Sequence, residues 1–259
     1  WAEAAHYDAV LAAKPLNDDQ RFLVAHAMHS YWASTMLFDE AGVPRWVTNE
    51  GSYMMMNTFD LSVDHLFYET RWMPWTVRSQ LDTFVDEYSY HDTVHPPDDP
   101  SVHHPGGIAF THDQGLYNTW SPRGYSSYEM TNKHGCLSYM SHEQLCNWVV
   151  SAAVYYHAAR DADRLERRKG VIADCLASLE NRDHHDPAKR DGIMDFEGDR
   201  GGVGTDITTY DSRDPSLGQS RRNLYLAGKS WASYLGIARM LGDVKDPLYR
   251  AAVDRAMAG

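Results

Sequence analysis

Apolar residues recur every three to four positions in six stretches of this 259-residue chain, and a loop rich in Gly, Pro, Asp or His joins each stretch to the next. The first helix is predicted over about Asp18 to Phe38, with Leu23, Ala27, Tyr31 and Leu37 on or near one stripe. A second starts near Asp60. A third starts near Pro74, which suits a first helical turn because its missing N–H would have no partner there, and Val77, Leu81, Val85 and Tyr88 then share a face. The fourth opens with Ser141 and Gln144 at capping-box spacing and carries Leu145, Trp148, Val149, Ala152 and Tyr156. The fifth covers Arg164 to Asn181 and the sixth Leu217 to Leu241. Strand-like runs such as Gly107 to Thr111 and Asp206 to Tyr210 are short and scattered, which argues against a parallel sheet. The class is therefore read as mainly α. The long connections fit a toroid of helical hairpins with helix ends around a central cleft better than a plain bundle.

Composition narrows the partners. With 24 Lys+Arg against 36 Asp+Glu, the net charge of -12 would repel phosphate backbones and anionic headgroups, so neither nucleic acid nor a membrane is expected as a partner. A neutral ligand is compatible, and 8 Trp and 16 Tyr would suit sugar stacking, although most large aromatics fill cores. Cys136, Cys146 and Cys175 have no C-x-x-C spacing, which points to a reducing, cytoplasmic setting. The start at Trp1-Ala2-Glu3 and the helix-like close at Arg250 to Gly259 are read as the ends of a piece of a longer protein.

The chain has no nucleophile elbow, zincin motif, Walker A loop or dinucleotide fingerprint. His26 and His29 could pair on a metal, and Asp183 to Asp195 is rich in carboxylates, yet neither has a full ligand set, and no metal or cofactor is expected. Two carboxylates stand out in loops. Glu50 lies in Asn49-Glu50-Gly51-Ser52-Tyr53, read as a turn between helices, and Asp211 in Thr208-Thr209-Tyr210-Asp211 before the last helix. A facing pair of carboxyls can divide the work of glycoside cleavage. Helix N-capping is the bland alternative, for Asp60 as well as Asp211.

The run Val47 to Leu61, together with Phe110-Thr111-His112-Asp113-Gln114-Gly115, Met140 to Leu145, Ile207 to Asp211 and Ser216 to Gln219, resembles glycoside hydrolase family 52, the β-xylosidases. The segments come in the family's order from about Pro44 to Asp243, and more distantly they resemble the family 116 β-glucosidases. The resemblance implies part of an (α/α)6 barrel, with the family's preceding β-sandwich and the rest of the barrel outside residues 1–259. It makes Glu50 the nucleophile and Asp211 the general acid/base, and it gives Asp60 and His112, with Asp113 beside it, to sugar hydroxyls. The loop from His95 to Gly106 departs from the family pattern in length and composition.

The expected activity is release of β-D-xylose from the non-reducing ends of xylo-oligosaccharides and aryl β-xylosides with retention of configuration. The alternatives are a β-glucosidase or glucosylceramidase of the same clan, and a carbohydrate-binding fragment without turnover. Helix faces that would pack on absent segments are expected to drive self-association into a homo-oligomer.

Overall fold

The computed structural model describes residues 1–130, 139–201, 206–209, 218–242 and 245–258. The chain opens with helices α1 (Ala2–Ala12) and α2 (Asp18–Ser34). Asn17 and Gln20 start α2 with a reciprocal capping box, each side chain satisfying the other's backbone N–H. The predicted first helix stops four residues early, because Thr35 turns extended and the chain enters a hairpin of β1 (Thr35–Glu40) and β2 (Val43–Glu50). Ala41 and Gly42 both have positive φ, at 52° and 87°, which is the twist a two-residue hairpin needs. Asp39 Oδ1 accepts the Gly42 N–H.

After β3 (Met55–Met56) come α3 (Phe59–Trp72) and α4 (Pro74–Glu87), then β4 (Ser89–His95), β5 (His104–Phe110), β6 (Gly115–Leu116) and β7 (Thr119–Trp120). The short α5 (Ser127–Met130) precedes α6 (Ser141–Ala159) and α7 (Ala162–Asp183). The two-residue β8 (Glu197–Gly198), α8 (Leu224–Leu241) and α9 (Pro247–Ala258) complete the described chain. Among the described residues no helix is long and apolar enough to cross a membrane.

The expectation of a mainly α chain forming part of an (α/α)6 toroid is overturned. The strands build two antiparallel sheets, one ordered β1-β2-β3-β6-β7 and the other β5-β4-β8. The reason is local. Trp46, Val47 and Thr48 are aromatic or β-branched and buried along β2, while β4 and β5 bury Val94, Ile108 and Phe110. Apolar residues in short runs satisfy a period of two as readily as one of 3.6, and Leu37, assigned to a helical stripe, is exposed on β1. Of Asp206 to Tyr210, the described part makes only an isolated bridge between Ile207 and Gln219.

Helix α6 is the axis of the core, packing on α3, α4, α7, α8 and β5. Phe59 stacks on Phe84 with ring centroids 4.0 Å apart, and Phe110 stacks on Trp148 at 5.4 Å. Beyond its first turn α6 buries apolar residues, but the turn itself buries Ser141, His142, Glu143 and Gln144. The predicted capping box there does not form. Met140 holds the cap position, and Ser141 Oγ donates instead to Asp206 Oδ2 at 2.7 Å.

Next to that turn lies Arg182 of α7, which is fully buried. It donates to the Gly106 carbonyl at 2.6 Å and faces Asp92 at 3.3 Å and Ser141 Oγ at 3.4 Å. Burial pushes the carboxyl of Asp92 up, with the cation opposing that shift. Replacing Arg182 by Met leaves Asp92 buried without its cation, and urea denaturation should show a loss of about 3–5 kcal/mol. A loss below about 1 kcal/mol would mean that this pair does not hold α7 to the β5-β4-β8 sheet.

Candidate active site

Glu50 is the last residue of β2, opposite Met55 across the sheet, and not in a loop between helices. Its Oε2 accepts a hydrogen bond of 2.9 Å from Thr58 Oγ1. Between these two residues the strand pairing is continued by a side chain. Asn57 is buried with φ 50°; its Oδ1 accepts the Thr48 N–H at 2.8 Å, and its amide donates to the Trp46 carbonyl and to Gln114 Oε1. Gln114 N–H donates to the Met56 carbonyl, and Phe59 N–H to the His112 carbonyl. The Thr111–Gln114 loop is thus strapped to the segment that follows Glu50.

His112 is buried, and its Nδ1 meets Asp113 Oδ2 at 3.0 Å. Asp113, wholly inside, also accepts the N–H groups of Gly115 and Ser127. It therefore stands behind His112 and orients the ring, whereas sequence reasoning had put it among the sugar ligands. The His112 Nε2 has no hydrogen-bond partner and lies 3.7 Å from Asp60 Oδ1. Burial would lower the pKa of His112, but the bond to Asp113 and the charges of Asp113, Asp60 and Glu50 carry it upward. Asp60 is the second residue of α3 rather than its cap. Burial raises its pKa and Glu143 adds to the rise, against the pull of His112.

From Asp60 a chain of contacts runs into α6 and α8. Gln144 donates to Asp60 Oδ1 at 3.4 Å, Asn147 donates to Gln144 Oε1 at 3.0 Å, and Lys229 donates to Asn147 Oδ1 at 2.7 Å. Lys229 also pairs with Glu143 at 2.7 Å. The fully buried Glu143 further accepts the backbone N–H and hydroxyl of Thr209, each at 2.8 Å, and the Tyr225 hydroxyl at 3.1 Å. Burial opposes ionisation of Glu143, yet Lys229 and these donors outweigh it and lower its pKa; Glu143 in turn raises that of Lys229. Asp211, the expected acid/base, lies outside the described residues, two positions after Thr209 in the sequence.

Residues 1–155 match Glycosyl hydrolase family 52. The chain belongs to that family. It is 49% identical over 242 residues to a beta-xylosidase of Geobacillus stearothermophilus, covering 93% of this chain and 34% of the relative. A second beta-xylosidase of the same organism is 44% identical over 246 residues, or 93% of this chain and 38% of the relative. The chain thus spans about a third of the length of these curated relatives.

Within this family 52 chain the structure sets His112 3.7 Å from Asp60 and ties its loop to the segment that follows Glu50. The candidate metal pair His26 and His29 is exposed on α2, and among the described residues no group of three or more His, Cys, Asp or Glu could hold a metal ion. Sequence reasoning missed Thr58, Asn57, Glu143 and Lys229. One signal was available: the polar run Ser141 to Gln144 continues at helical spacing into Asn147 and Ser151 on an otherwise largely apolar helix.

Replacing Lys229 by Met strands the Glu143 carboxylate inside, and the chain should lose about 3–5 kcal/mol of stability near neutral pH. The sign with pH follows from the shift. A depressed Glu143 contributes stability above its unfolded pKa and loses it as pH falls through the folded value, whereas in the Met variant burial raises that pKa. Denaturation curves of the two proteins should therefore differ most near pH 7 and converge on acidification; a gap that stays constant with pH would contradict the pairing.

Proposed function

We propose that the protein is a retaining β-xylosidase in which Glu50 attacks the anomeric carbon of a terminal β-D-xylose while Asp211 protonates the departing oxygen. Asp211 then deprotonates the water that releases the sugar, and two inversions retain the configuration. Asp60 and His112 bind hydroxyls of the same sugar, with Asp113 holding the ring. Xylo-oligosaccharides are the proposed substrate class. Action in the cytoplasm fits Cys146 and Cys175, which are buried free thiols.

The observation that carries this reading is the unpartnered Nε2 of His112 beside Asp60, on a loop strapped to the strand that ends in Glu50. A buried imidazole nitrogen and a carboxylate 3.7 Å apart, too far to bond each other, leave two polar groups free for a ligand's hydroxyls. The likeness to two beta-xylosidases supports xylose as the sugar.

The two carboxylates are separable in the protein at its natural length. Glu50→Gly should abolish turnover of every substrate, and azide should restore it with an α-linked product. Asp211→Gly should keep much of the first step on dinitrophenyl β-xyloside but lose on the order of 10² to 10⁴-fold on xylobiose, whose alcohol leaving group needs a proton. Azide should then give the β-linked adduct. Reversed anomers would exchange the two roles, and near-normal turnover by both variants would end the proposal. Rates on aryl β-xyloside and β-glucoside, measured side by side, decide between xylose and glucose.

A further inference from the structure

Two buried amides join Asp60 to a lysine, and their orientation is dictated from the lysine end. An ammonium has N–H donors and no acceptor, so the 2.7 Å contact between Lys229 and Asn147 has to be taken by the amide oxygen, Oδ1. That leaves the Asn147 NH2 group facing Gln144, where it donates to Oε1 at 3.0 Å. Gln144 has then committed its oxygen. Its own NH2 group is what reaches Asp60 Oδ1 at 3.4 Å, with Met140 Sδ at 3.9 Å. Reversing either amide would set donor against donor on one side and oxygen against oxygen on the other.

Burial makes that orientation costly to undo. Gln144 and Asn147 are 0% and 2% exposed, so neither can turn to water, whereas the side chains at the two ends keep an edge in solvent, 12% for Asp60 and 19% for Lys229. Lys229 is itself fixed, because another of its protons goes to Glu143 Oε1 at 2.7 Å and its Nζ lies 4.7 Å from the centroid of the Tyr225 ring. Gln144 and Asn147 sit three residues apart on α6, so one strip of that helix links α8 to the first turn of α3. At the receiving end the same oxygen of Asp60 stands 3.7 Å from the unpartnered His112 Nε2.

We propose that Asn147 and Gln144 are positioning residues for Asp60: locked in one orientation by Lys229, they deliver an N–H to Asp60 Oδ1 and hold that carboxylate where it accepts a hydroxyl of the bound sugar. This rests on reading Asp60 as a ligand of the terminal xylose. No proton crosses the chain of hydrogen bonds, and what passes from Lys229 to Asp60 is direction alone. A carboxylate held in this way serves the hydroxyl it meets, so the contribution of Asn147 and Gln144 shrinks when that hydroxyl is removed.

The test uses the protein at its natural length and four aryl β-xylosides, the parent sugar and its 2-, 3- and 4-deoxy analogues, with the variants Asp60→Ala, Asn147→Asp and Gln144→Met. Asn147→Asp keeps the shape and the contact with Lys229 but has no N–H for Gln144, which then has to turn its oxygen toward Asp60. Gln144→Met removes the donor outright. On the parent xyloside kcat/KM should fall about tenfold in both, as for loss of a hydrogen bond to a charged group. The fall should be smallest on the same deoxy analogue that is least hurt by Asp60→Ala. A merely structural role would lower all four substrates alike and the Tm with them; that pattern in both variants would overturn the inference, and so would unchanged rates on all four. If Asp60→Ala singles out a hydroxyl while Asn147→Asp and Gln144→Met treat the four sugars alike, only this inference fails. If Asp60→Ala singles out none, the reading of Asp60 as a sugar ligand falls and takes this inference with it.

Discussion

A guanidinium shut off from water must find acceptors for its N–H groups inside the protein, and Arg182 finds them on separate elements. The Gly106 carbonyl belongs to β5, Asp92 to β4, and Ser141 to the head of α6, which in turn reaches Asp206. None of these groups can drift without stranding a buried charge. The consequence for the site is indirect but firm, because the turn of α6 that Arg182 anchors is the one that presents Glu143 to Thr209 and Gln144 to Asp60.

The first turn of α6 inverts the usual order of a helix, in which polar residues meet water. It is closed in by α8, α3 and the residues near Asp206, so its side chains have to be satisfied by one another and by their neighbours. Glu143 sits at the helix end where unpaired N–H groups carry partial positive charge, and Lys229 brings a full one. From there the hydrogen bonds lead through Asn147 and Gln144 to the carboxylate beside His112. Packing and polarity thus act through the same few residues.

Much of the helical part was legible in the sequence. The starts of α3, α4 and α6 fall where Asp60, Pro74 and Ser141 led one to expect them, because a long apolar stripe repeated every 3.6 residues has few other readings. The sheets were not. Trp46 to Thr48 is too short to show its period, and its partner strand is selected by the positive-φ pair Ala41-Gly42, a signal carried by two residues. Of the candidate site, Glu50 and Asp60 in one short run and His112 in another were marked by the resemblance of those runs to the family. The pairing of Glu143 with Lys229 joins residues 86 positions apart, and only the packing of α6 on α8 brings them together.

Asn57 has a further consequence, of a mechanical kind. Where the ladder between β2 and β3 ends, the asparagine amide takes over the role of backbone and bonds to the strand on one side and to Gln114 on the other. The strand that ends in Glu50 and the loop that carries His112 are thereby welded into one plate. These bonds fix the spacing between the two segments through side chain and backbone alike. Toward α6, by contrast, the link from Asp60 is a single hydrogen bond from Gln144 across 3.4 Å, so the seam between α3 and α6 is held far more lightly than the seam between the two segments.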